Sequence, residues 1–141
     1  MIRRDTGTGA VMEAMVLPAL ERGGYEYFRQ VDIGERLGGG RHLVDVVAYD
    51  AEGSGYLISL KWQQVSGTAE QKVPFEAMCL VQAVLLEPER YCRAYLVLGG
   101  PSWKLREFYT EGGLLPFVRH EDLVSIVSLE SFVARANRGQ L

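Results

Sequence analysis

A chain of 141 residues with 48% hydrophobic side chains and a net charge of −3 has apolar material for one core and too little length for two. Its slight acidity argues against a protein that coats nucleic acid by charge alone, and no apolar run approaches the twenty or so residues that a membrane span requires. Met1 to Gly7 lacks the apolar stretch of a secretory signal, and Cys79 and Cys92 have no His or Cys partner at zinc-like spacing, so the expectation is one cytoplasmic domain over 1–141 with two buried core thiols.

In chain order, Ala10 to Leu20 has helical spacing after a possible N-cap at Thr8, with Pro18 expected to kink its later part and Gly23-Gly24 to end it. Tyr25 to Ile33, rich in aromatic and β-branched residues, predicts a first strand. Gly38-Gly39-Gly40 then forms a loop before two further strands, His42 to Tyr49 and Tyr56 to Gln63, joined by the polar, glycine-rich turn 50–55. The apolar helix ending at Leu86 begins either near Thr68, which with Gln71 fits a capping box, or at Pro74, which suits a first helical turn. Arg93 to Leu98 is a buried strand, Trp103 to Tyr109 a short helix, Leu123 to Ser128 a last strand and Leu129 to Arg138 a C-terminal helix. This order predicts an α/β fold with a mixed central sheet flanked by helices.

Two charges interrupt the apolar hairpin. Asp45 stands among Val44, Val46 and Val47, and Ser59, Lys61 and Gln63 share one face of the next strand. Aspartate and lysine are rarely placed in such runs unless paired or functional. Val44-Asp45 followed across a hairpin by Ser59-Leu60-Lys61 resembles the motif of the PD-(D/E)xK nuclease superfamily. The resemblance implies a restriction endonuclease-like core, Asp45 as a ligand of Mg²⁺ (with Mn²⁺ able to substitute) and Lys61 acting at the phosphate. Gln63, two residues on, faces the same way and is a candidate to hold the attacking water or a phosphate oxygen.

The chain departs from the family pattern at Ser59, which occupies the position that normally supplies a second metal-binding carboxylate. Some restriction endonucleases of the superfamily carry serine there and take the carboxylate from the following helix. By that resemblance Glu76, or failing it Glu70, becomes the replacement ligand, and Glu13 on the first helix matches a glutamate that completes the metal site in several branches. Contacts to DNA are expected from Arg3, Arg4, Arg36, Arg41 and Lys72.

The leading expectation is therefore an Mg²⁺-dependent DNA endonuclease, working as a homodimer and similar to Holliday junction resolvases or minimal restriction enzymes. Its rival, motivated by Ser59, is a nuclease-fold protein that binds DNA or assembles with partners without catalysis. A third class is an α/β interaction module with no nucleic-acid role, in which the hairpin charges form an internal salt bridge.

Overall fold

The computed structural model describes residues 6–65, 67 and 69–141. In order these form α1 (Thr6–Arg22), β1 (Glu26–Glu35), β2 (Arg41–Tyr49), β3 (Gly55–Trp62), α2 (Ala69–Leu86), β4 (Tyr91–Gly99), α3 (Arg106–Thr110), β5 (Val124–Ser128) and α4 (Leu129–Asn137), with short 3₁₀ turns at Leu115–Phe117 and Glu121–Leu123. The strands lie side by side in chain order. The β1/β2 and β2/β3 pairs are antiparallel, whereas β3/β4 and β4/β5 are parallel. The sheet is thus mixed, as expected, because a tight turn can join antiparallel neighbours while each parallel pair needs a crossover. Helix α2 provides the first crossover and the α3 region the second.

Alternation along the strands builds two cores, one on each face. Leu57, Ala94, Leu96, Leu98, Val124 and Ile126 meet Val73, Ala77, Leu80 and Val84 of α2. Val46, Ala48, Ile58, Tyr95 and Val97 meet Met12, Val16 and Leu20 of α1 and Phe132 of α4 on the opposite face. Cys79 is buried on α2, but Cys92 is exposed at the start of β4. The expectation of two core thiols therefore holds for the first cysteine alone. Among the described residues no helix is long and apolar enough to cross a membrane.

Helix α1 starts at Thr6, ahead of the cap expected at Thr8, and runs through Pro18 to Arg22. It ends where Gly24 adopts φ of +90°, with Tyr25 N–H donating to the Leu20 carbonyl and Gly24 N–H to that of Glu21. This is the Schellman arrangement that glycine permits. The β1–β2 turn is closed by Arg36 N–H to Gly40 O and Gly39 N–H to Arg36 O, and three successive positive φ values at Gly38, Gly39 and Gly40 explain the triple glycine.

Helix α2 takes the earlier of the two possible starts, beginning at Ala69, with Pro74 inside it; the expected cap Thr68 lies outside the described residues. A proline has no N–H, so the Glu70 carbonyl four residues back loses its helical donor. The Tyr109 hydroxyl, buried under the sheet, donates to that carbonyl at 2.7 Å. Tyr109→Phe will accordingly lower stability by about 1–2 kcal/mol, since it leaves a buried acceptor unpaired. Thermal melts of the two proteins check this, and equal midpoints would show that the carbonyl finds another donor.

Candidate active site

The site begins where two strands part. β2 pairs with β3 only over Val46 to Tyr49 and Gly55 to Ile58, while β3 continues beside β4 to Trp62. Beyond that fork the Leu60 N–H has lost its strand neighbour. The Asp45 carboxylate takes the vacated place, accepting this N–H at 2.7 Å through Oδ2. The backbone turns to allow it: Val46 packs on the α1 face, yet Val44, two residues away, packs on the α2 face. Opposite this break, between the β1 residues Arg29 and Val31 that pair with Val46 and Val44, Gln30 has φ of +51°. A left-handed non-glycine residue within a strand is a strained conformation that costs on the order of 1–2 kcal/mol.

On the α2 face, Ser59 and Lys61 point at one acid. Glu76 accepts from Ser59 Oγ at 3.4 Å through Oε2, and the same oxygen lies 3.3 Å from Lys61 Nζ. Its other oxygen, Oε1, is 3.1 Å from Arg36 Nη2. Helix α2 is held to the sheet by Val73, Ala77 and Leu80, so Glu76, one position from Ala77, is delivered to the strand position where the sequence has serine. Burial pushes the Asp45 carboxyl above the usual carboxylate range. The Leu60 N–H and the Lys61 charge pull it back, and the charges of Glu13 and Glu76 push it further up. Asp45, Lys61, Glu13 and Glu76 therefore share one electrostatic neighbourhood.

His42, buried at the head of β2, belongs to the same neighbourhood. Burial lowers its pKa, as do the Arg36 and Lys61 charges, against the opposing pull of Glu76. Sequence reasoning passed over His42 as a site residue. A polar side chain opening an apolar strand three residues before Asp45 was the available signal.

The remaining candidates are placed as follows. Glu13 is in an ion pair with Arg29 at 2.6 Å. Glu70 is committed to a loop, accepting from the Lys104 N–H, from the Leu105 N–H at 2.9 Å and from Gln63 Nε2 at 2.9 Å. Burial raises its pKa, but those donors together with the Lys104 charge outweigh burial and leave it lowered. Gln63 also donates to the Ser102 carbonyl at 2.7 Å, so its amide nitrogen is occupied by protein groups, while among the described residues its buried Oε1 has no hydrogen-bond partner. Arg41 is exposed and paired with Asp32 at 2.9 Å. Lys72 is exposed on α2, and Arg3 and Arg4 lie outside the described residues.

Of the four acids expected at a metal, the structure thus brings Glu76 to Ser59 and Lys61 near Asp45, and commits Glu70 to the 104–105 loop. Among the described residues no three His, Cys, Asp or Glu side chains are gathered closely enough to hold an ion together. Mg²⁺ takes one or two protein oxygens and keeps several waters, so Asp45 and Glu76 would suffice in number and kind as its protein donors. The raised Asp45 pKa is the mark of a buried acid short of counter-charge.

The model of a PD-(D/E)XK nuclease superfamily domain matches residues 4–140. No curated protein matches the chain. Among solved structures, an XisH family protein from Nostoc punctiforme is similar with a TM-score of 0.53 at 15% identity, over 86% of this chain and 94% of that one. A protein of unknown function aligns with a TM-score of 0.49 at 19% identity, over 81% of this chain and 54% of its own. A repair endonuclease from Pyrococcus abyssi aligns with a TM-score of 0.45 at 15% identity, over 91% and 48%. The chain spans about half the length of the last two.

Proposed function

The chain belongs to the PD-(D/E)XK nuclease superfamily, and on that premise we propose that it is a divalent-metal-dependent DNA endonuclease, with Asp45 and Glu76 as the protein ligands of Mg²⁺ and Lys61 at the phosphate. One observation carries the reading. Glu76 Oε2 stands 3.4 Å from Ser59 Oγ and 3.3 Å from Lys61 Nζ, so a helix carboxylate fills the place that the serine leaves empty.

Each residue has a part that follows from its surroundings. Asp45, fixed by the Leu60 N–H, presents an anionic oxygen on a rigid strand. Ser59 donates to Glu76 and orients it. Lys61, about one-third exposed, places a mobile ammonium where charge develops on the phosphate oxygens. A bound divalent cation supplies Lewis-acid polarisation of the phosphate and acidifies a water. Cutting both strands, or a junction symmetrically, calls for two such sites and hence a homodimer.

Supercoiled plasmid and a four-way junction, each incubated with Mg²⁺ or Mn²⁺, test the reading with wild type beside Lys61→Ala. Wild type is expected to cut at least one of them, and the variant about 10²–10³-fold more slowly. Binding of DNA by wild type with no cleavage under either metal would instead favour a nuclease scaffold used only for binding or assembly.

A further inference from the structure

Glu76 is held by two cations at once, Lys61 on Oε2 and Arg36 on Oε1. A divalent ion approaching that carboxylate meets both positive charges, and one of them has to withdraw before the ion is well held. Lys61 is anchored in β3, which pairs with β4 at that position. Arg36 lies just past the end of β1, at the base of the turn made by three glycines. Both side chains are about one-third exposed, and with Lys61 assigned to the phosphate beside the ion, Arg36 is the cation whose transfer leaves that assignment intact.

The grip on Arg36 is also incomplete. Among the described residues its buried Nε has no hydrogen-bond partner, its second polar contact is the weak acceptor Cys79 Sγ at 4.0 Å, and its guanidinium lies 5.6 Å from the centre of the Phe75 ring. Its side chain is 30% exposed, more than the 18% of Glu76 beside it. A phosphodiester offers the two anionic oxygens that a guanidinium fork matches, and binding one through Nε and an Nη would satisfy the donor that the described residues leave unpaired.

We propose that Arg36 is a positioning residue that couples DNA arrival to metal loading: it neutralises Glu76 in the free protein and transfers to a DNA phosphate, leaving Glu76 available to the ion. The inference rests on Asp45 and Glu76 being the metal ligands. It also makes the coupling reciprocal, so that metal tightens DNA binding by the factor that DNA tightens metal binding.

Titration calorimetry of the DNA-free protein with Mn²⁺, combined with the anisotropy of a labelled duplex with and without Mn²⁺, tests this. Arg36→Gln is expected to bind Mn²⁺ about tenfold more tightly than wild type without DNA, and to lose the gain in DNA affinity that Mn²⁺ gives wild type. Arg36→Lys keeps the charge and is expected to bind Mn²⁺ as weakly as wild type. If Arg36→Gln binds Mn²⁺ no more tightly than wild type, or if Arg36→Lys behaves as Arg36→Gln does, the coupling is overturned. The site reading survives either result provided that Asp45→Asn and Glu76→Gln abolish Mn²⁺ binding. Mn²⁺ binding indifferent to those two substitutions overturns the ligand assignment, and the coupling with it.

Discussion

Asp45→Asn will melt above wild type in metal-free buffer at pH 8, by about 3 °C for each kcal/mol gained, while cutting DNA at least about 10²–10³-fold more slowly. Both effects have one origin. The Asp45 carboxyl sits above the ordinary carboxylate range because burial disfavours its charged form, with the Leu60 N–H and Lys61 compensating only in part and Glu13 and Glu76 adding repulsion. A group whose native pKa is raised contributes its full stability below its unfolded pKa, where both states hold the proton. That contribution is lost as the pH rises through the native value. The advantage of the asparagine variant should therefore be absent near pH 4, grow as the pH climbs, and level off once the native carboxyl has ionised. Asparagine keeps an oxygen for the Leu60 N–H, so the substitution removes charge and little else. Melts in a chelator from pH 4 to pH 8 give the comparison. A variant less stable than wild type at pH 8, or a difference that does not change with pH, would contradict the assignment of burial as the dominant cause. On the proposed function, a divalent ion bound at the strand fork would supply the compensation that the metal-free fold lacks.

The central strands were legible because they are short, near-continuous apolar runs bounded by polar, glycine-rich turns. Val44 to Ala48 and Leu57 to Lys61 announce both the hairpin and the anomaly of Asp45 and Lys61, and the observed strand ends lie within two residues of those expected. The start of α2 was not legible. Pro74 reads as a first-turn residue, and the hydroxyl that makes it tolerable inside the helix comes from Tyr109, which is 39 residues after Glu70. The choice between Glu70 and Glu76 was open for a related reason. Six positions correspond to about 600° around a helix, or roughly 240° between the two side chains, so one glutamate facing Ser59 excludes the other. Which one does so depends on how α2 docks on the sheet, through Val73, Ala77 and Leu80. Glu70 had its own long-range destination, the amides of Lys104 and Leu105. The Glu13–Arg29 pair and the presence of His42 near Glu76 likewise depend on contacts between elements that no local pattern encodes. Chemistry-bearing residue types could be read from the chain; their partners had to come from the fold.

Moving the carboxylate from helix to strand will restore much of what its removal takes away. Glu76→Gln should slow cleavage about 10²–10³-fold, the usual effect of removing one preorganised electrostatic partner. Ser59 Oγ is 3.4 Å from Glu76 Oε2, so a glutamate at position 59 reaches the same space from the opposite wall. The double variant Ser59→Glu/Glu76→Ser preserves the number of charges and keeps a hydroxyl on the facing element. It is expected to recover at least about tenfold of the rate lost in Glu76→Gln. Ser59→Glu alone places a second carboxylate against Glu76, and that repulsion should lower metal-free stability by about 1 kcal/mol or more at neutral pH. Lys61, 3.3 Å from the present carboxylate oxygen and on the same strand face as Ser59, can follow the charge without changing strand or rotating its backbone. Arg36 cannot follow it in the same way, because it reaches Glu76 on α2 from the β1–β2 turn and shares no strand with position 59. The swapped enzyme should therefore keep its dependence on Lys61 and lose most of its dependence on Arg36. Initial rates for wild type, Glu76→Gln and the double variant at matched Mg²⁺, each repeated with Lys61→Ala and with Arg36→Gln, give the comparison. A double variant as slow as Glu76→Gln would mean that Glu76 acts through its place on α2, its grip on Arg36 included, and that charge beside Ser59 and Lys61 is insufficient for the chemistry.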